Sequence, residues 1–273
     1  MATKKTVYKV KWKNLTIAAF SLFLLLTFLV FGFHLLNDYN ATKKMIERIN
    51  NEIEVKAIVD DEFTKTIKPD STLSKFDAYW NYIKLGLIEV DMANLKKINT
   101  DIVGYIEVKG TDYSYPIVKS DNVFYKTHSL DRSKNSLGWL YFDEDASLDE
   151  LDTNTIVFGN KNYFNLLQSS LKKVLKDEWK EDDSNFLIKL YTNTHSTLWQ
   201  IISVYETKDE EHLKTDFQNA EEIQTYIDSM LKKTEIKFKG YAKTDDKILT
   251  LTTNSKGTNL VIQAKLIKIR TEE

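Results

Sequence analysis

Leu15 to Leu36 is a run of 22 residues without a charge, interrupted only by Thr16, Ser21, Thr27, Gly32 and His34. As a helix it would extend roughly 33 Å, about the thickness of a bilayer's hydrocarbon core. A cleaved signal peptide would have an apolar stretch of about 7–15 residues ending in a small-residue site. This run is longer, and Phe31-Gly32-Phe33-His34-Leu35-Leu36 contains no good cleavage site. A buried core helix is the other reading that length allows. Residues 1–36 carry five lysines (Lys4, Lys5, Lys9, Lys11 and Lys13) and no acid. Mixed charge follows the run at Asp38, Lys43, Lys44 and Glu47. That asymmetry predicts a single-pass cell-membrane anchor at 15–36, a cytoplasmic tail at 1–14, and residues 37–273 outside.

Composition narrows the chemistry. The whole chain has a net charge of −2, so the part after residue 36 carries −7 against +5 before it. No basic excess is available to neutralise phosphates, so no nucleic-acid partner is expected. Cysteine is absent. Disulfides, thiolate zinc sites, iron–sulfur clusters, thiol nucleophiles and a lipid-modified cysteine are thereby excluded. With four histidines in all, no cofactor and no metal site is expected.

Residues 38–98 read mostly as helix, a stalk or a set of N-terminal helices. Met45, Ile46, Ile49 and Ile53 recur at helical spacing, and Pro69-Asp70-Ser71 marks a break before a second helical stretch at 74–98. From about 101 the pattern changes. Strands are predicted at Ile102–Val108, Tyr113–Val118, Trp139–Phe142, Thr155–Phe158, Phe186–Tyr191, Leu198–Tyr205, Ile248–Thr253 and Leu260–Ile269. The last alternates, with Leu260, Ile262, Ala264 and Leu266 on one face. Helices are expected near Phe164–Leu175 and Ala220–Lys233. Short strands with few helices predict a mainly β fold, a barrel or sandwich with helical insertions. The clusters Asp143-Glu144-Asp145 and Glu181-Asp182-Asp183 read as solvated loops rather than calcium sites, having no EF-hand glycine spacing.

No strong catalytic motif stands out: the chain has no Gly-x-Ser-x-Gly elbow, phosphate loop, His-Glu-x-x-His or dinucleotide fingerprint. His128 and His195 fall near loops and His212 in a charged stretch; all three read as surface or structural residues.

An ordered series of fragments does resemble one family. Asn99-Thr100-Asp101-Ile102-Val103-Gly104-Tyr105-Ile106 is similar to the opening of class B sortases. Gly110-Thr111, Tyr115-Pro116-Ile117-Val118, Asp121-Asn122 with Tyr125, and Gly138-Trp139-Leu140-Tyr141-Phe142-Asp143 follow in the family's order. Asn154 to Gly159 resembles the strand that leads to the family histidine, and Lys247 to Thr253 the strand that leads to its cysteine. The likeness spans about residues 75–270. It implies a sortase-like closed β-barrel at 99–273, preceded by a helical region at 37–98 and one transmembrane helix.

The departures fall where that family has its catalytic groups. Asn160 stands where the resemblance places the histidine, Asn254 where it places the cysteine, and Asn259 where it places the arginine. An asparagine amide is neither a useful nucleophile nor a group that titrates near neutral pH. Asn259 can donate a neutral hydrogen bond but lacks arginine's charged planar fork. No catalytic residue is therefore intact, and Asn160, Thr253, Asn254 and Asn259 are candidates for a peptide groove.

Three functions follow from these observations. The first is a pseudo-sortase at a Gram-positive-type cell surface that binds or organises a sorting-signal peptide, a surface protein, pilin or the sorting machinery. The second is a transpeptidase or peptidase using substituted residues, for example Thr253 or Ser255 as nucleophile. The third is a passive structural ectodomain.

Overall fold

A computed structural model describes residues 11–69, 72–160, 166–236, 241–254 and 257–271. For Asn160 and Asn254 it describes the backbone alone.

The apolar run is the first half of one continuous helix, α1 (Trp12–Glu52). Its first part is exposed, and none of its most hydrophobic window packs against the rest of the chain. Its last part does pack: Thr42, Met45 and Ile49 are buried, at helical spacing on one face.

The segment expected to be helical from 53 to 98 differs from that reading. It forms β1 (Val55–Ile58) and β2 (Thr64–Thr66), then a single helical turn α2 (Tyr79–Tyr82), β3 (Leu87–Val90) and a short helix α3 (Met92–Ile98). Antiparallel pairing of β1 with β3 explains the departure, since ladder partners more than 25 residues apart leave no local signal. Asp91 caps α3 by accepting from the Asn94 backbone amide at 2.9 Å. Lys268 and Asp60 fasten this region to the last strand. The buried Lys268 ammonium donates to both Asp60 oxygens (2.8 and 2.6 Å) and to the Leu85 carbonyl (3.1 Å).

The strands predicted after residue 101 form, with adjusted ends, β4 (Ile102–Val108), β5 (Tyr113–Val118), β6 (Tyr141–Phe142) and β7 (Asn154–Asn160), then β8 (Leu187–Thr192), β9 (His195–Thr207), β10 (Ile248–Asn254) and β11 (Asn259–Thr271). Their hydrogen-bonded order is β10-β7-β6-β5-β4-β8-β9-β11, and pairing of β10 with β11 closes the ring. The result is an eight-stranded barrel with β2 added against β11. Closure leaves no free edge among these eight strands. Helices α4 (Leu166–Leu171) and α5 (Asp177–Lys180) lie between β7 and β8, and α6 (Ala220–Lys233) between β9 and β10.

The alternation seen in β11 predicted one covered face. Both faces are buried from Asn259 to Lys268. α6 supplies part of the cover, packing Tyr226, Ile227 and Met230 against Ile202 and Ile248.

Residues of the motif series have structural work to do. The Asn99 amide donates to Tyr125 Oη (2.6 Å) and the Leu130 carbonyl (2.7 Å), while Tyr125 Oη donates to Asp101 (2.6 Å). Trp139 Nε1 donates to the Pro116 carbonyl at 2.9 Å. At Gly104 an added Cβ would sit 2.9 Å from the Tyr191 carbonyl oxygen, so no larger residue fits without a shift. These positions hold the barrel whether or not any chemistry takes place on it.

Candidate functional site

β7 and β10 run parallel, and their register pairs every residue from Asn154↔Ile248 to Asn160↔Asn254. The two asparagine positions are thus register neighbours on adjacent strands, each at its strand's C-terminal end. β10 also pairs with β11 in a hairpin whose register ends at Thr252↔Val261. β10 ends at Asn254 and β11 begins at Asn259, so both positions lie beyond the last paired residues of this hairpin. All three positions lie at one end of three adjoining strands. Asn259, at the start of β11, is buried.

Thr253 precedes Asn254. Its hydroxyl is buried and accepts the Leu260 amide at 2.9 Å, tying the strand to its hairpin partner. Ser255 lies outside the described residues. Gly159, just before Asn160, is closely packed: an added Cβ would lie 3.0 Å from Gln168 Nε2 and 3.4 Å from Leu140 Cδ2.

Sequence reading missed the histidine that comes nearest this end of β10. His212 is buried, and its Nε2 is 2.8 Å from the Thr252 hydroxyl. Forty residues separate the two, so no local pattern announces the contact. A polar network continues from there along β10. Asn154 Nδ2 donates to the His212 and Lys214 carbonyls (3.2 and 2.8 Å), and Asn154 Oδ1 accepts from Thr250 (2.6 Å). Gln263 then donates to Tyr226 Oη at 2.6 Å. Burial pushes the His212 pKa down to about 4. The imidazole is therefore neutral near pH 7 and can accept from Thr252, although burial closes both groups to an entering substrate. The network stiffens the strand that ends at Asn254.

His128 and His195 are engaged elsewhere. His128 stacks on Phe124 with centroids 3.9 Å apart, and a ring nitrogen of His195 lies 2.6 Å from the Asp149 carbonyl. The acidic clusters cap their own turns. Asp143 Oδ1 accepts the Asp145 amide, and Asp182 Oδ1 the Ser184 amide, both at 3.0 Å.

Comparison with known proteins places the fold. The chain is 30% identical to a solved structure of Staphylococcus aureus sortase B, with a TM-score of 0.59 over 65% of this chain and 86% of that one. It belongs to the sortase B family. Sortase B of Listeria monocytogenes is 25% identical over 250 residues, which cover 89% of this chain and 95% of that protein. A Staphylococcus aureus sortase B–substrate complex is 29% identical, with a TM-score of 0.59 over 64% of this chain and 84% of that one. No family model matches the chain. Within the family this member has no cysteine anywhere in its sequence.

Proposed function

We propose that this protein is a membrane-anchored, extracytoplasmic pseudo-sortase that binds or organises surface-protein, pilin or sorting-machinery partners without catalysis. The observation that carries this reading is the gathering of Asn160, Asn254 and Asn259 at one end of β7, β10 and β11 in a chain without cysteine. Sortase chemistry needs a thiolate to attack a peptide carbonyl and form a thioacyl intermediate that an amine resolves. An amide at position 254 removes that covalent route. The asparagines still offer donors and acceptors to an extended peptide backbone.

In this reading residues 1–14 are a cytoplasmic tail, 15–36 the anchor, 37–98 the N-terminal region and 99–273 the sortase-like barrel. The exposed apolar half of α1 and the five lysines before it support the topology. Protease added to protoplasts should digest the domain; protection of the domain, or release of a soluble mature form, would refute the anchor.

The chemical test is intact-mass spectrometry of the purified chain after incubation with sorting-signal peptides and an amine acceptor. The native chain should remain unmodified and the peptide uncut. The Asn160→His/Asn254→Cys/Asn259→Arg variant should cut the peptide in that mixture and accumulate an acyl adduct when the amine is left out. Turnover by the native chain, lost in Thr253→Val or Ser255→Ala, would instead establish an enzyme with substituted residues. Without covalent capture, peptide affinity rests on ordinary contacts and is expected at about micromolar to millimolar. NMR titration against a scrambled peptide measures it, and no sequence-dependent shift at millimolar peptide would overturn short-peptide recognition.

A further inference from the structure

α1 does not end where its apolar run ends. The helix continues without a break from Leu36 into the folded domain, and the domain closes on it within two residues. Asp38 Oδ2 accepts from the Ser136 amide (3.0 Å) and hydroxyl (2.6 Å). Asn135 Nδ2 donates to the Asp38 carbonyl (3.2 Å) and to Thr42 Oγ1 (3.0 Å). At about 1.5 Å of rise per residue, Asp38 lies only about 3 Å along the axis from Leu36. Whatever Asn135 and Ser136 belong to is therefore held at the level where the apolar run stops.

They belong to the segment 121–137, which is tightly built. A turn runs from Ser129 to Ser133, with Ser129 donating to the Ser133 carbonyl (2.8 Å) and Arg132 at a positive φ of 66°. The Phe124 ring stacks on the His128 imidazole (3.9 Å), and the Arg132 guanidinium lies over the same ring at 4.8 Å from its centroid. The segment's carboxylates are engaged by local groups. Asp121 accepts the Val123 and Phe124 amides, Asp131 accepts from Ser133, and the nearby Asp101 pairs with Arg132. Arg132, Ser133 and Lys134 are exposed, as is Val123 at 68%. The Lys134 ammonium and the Val123 side chain on a stiff loop suit the headgroup layer of a bilayer, where a basic group meets lipid phosphates and an apolar group leaves water.

We propose that residues 121–137 rest on the phospholipid headgroups of the membrane that α1 spans, so that the domain stands at a fixed height on the bilayer. The inference rests on the anchor reading above and goes beyond it. An anchor alone leaves the domain free to stand off, whereas the Asp38–Ser136 clasp does not.

The cysteine-free chain makes the test direct. Single variants Leu25→Cys, Val123→Cys, Ser133→Cys and Lys56→Cys in the full chain are labelled with an environment-sensitive fluorophore. They are then reconstituted into phosphatidylcholine/phosphatidylglycerol vesicles. Lys56 is the remote control, because it follows the far end of α1, some 20 residues beyond Leu36. Nitroxides on the lipid headgroups should quench positions 123 and 133 at least threefold more than position 56, and nitroxides on the acyl chains should quench position 25. Quenching at 25 with no excess at 123 or 133 over 56 would overturn the proposal and leave the anchor standing. Absence of quenching at 25 would overturn both.

Discussion

Asn160 and Asn254 are register partners at the C-terminal ends of two parallel strands, β7 and β10. Neighbouring parallel strands keep such partners about 5 Å apart, near the Cα separation a disulfide requires. The double variant Asn160→Cys/Asn254→Cys should therefore form an intrachain disulfide under a mild oxidant. Thiol titration and mass spectrometry would show it, and Asn160→Cys/Lys56→Cys should keep both thiols. Two free thiols at 160 and 254 would contradict the register.

His212 makes stability depend on pH. Its folded pKa of about 4 lies below the ordinary 6.5 because burial disfavours the imidazolium. Between those values the unfolded chain binds the proton and the folded chain does not, so stability rises with pH across this window. The shift amounts to about 2–3 kcal/mol lost between pH 7.5 and pH 4.5. Thermal melting of the native chain and of His212→Gln at both values checks it. The variant should show a distinctly smaller drop, and equal drops would remove His212 as the cause.

The Lys268–Asp60 pair predicts an asymmetry between its two halves. Asp60→Asn leaves a buried ammonium facing an amide and the Leu85 carbonyl, whereas Lys268→Met removes the charge and keeps most of the volume. Stranding a buried charge costs more than replacing it with an apolar group. Because Asp60 is half exposed, the expected cost of Asp60→Asn is about 1–3 kcal/mol, and Lys268→Met should cost less. Denaturant midpoints for the two variants decide the order.

Gly104 tests the close approach of β4 to β8. In Gly104→Ala the new methyl meets the Tyr191 carbonyl and the Phe142 ring, at 2.9 and 3.3 Å. Overpacking of this kind costs about 1–3 kcal/mol, which should appear as a lower denaturant midpoint with an unchanged slope. A native-like midpoint would show that the strands can part at little cost.

The barrel was legible because its signals are local. Short runs rich in β-branched and aromatic residues mark β4, β5, β8 and β9 within each strand's own few residues, and the turn residues Lys109 to Asp112 separate β4 from β5. The same holds for α6, whose Asn219 cap accepts from the Glu222 amide at 2.9 Å, and for the long apolar start of α1. β1 to β3 were not legible. They are three or four residues long, and pairing with distant partners holds them extended where a helix was expected.

At the candidate site the division is sharper. The amino-acid sequence by itself determined that no thiol exists in the molecule and that asparagine stands at 160, 254 and 259, because composition needs no fold. Only the tertiary structure decided that 160 and 254 are neighbours, that His212 approaches Thr252, and that Ser136 grips Asp38. These pairs are 94, 40 and 98 residues apart. Contacts at such separations arise from barrel closure and from burial of polar groups that must find partners, and neither leaves a mark on the residues nearby in the chain.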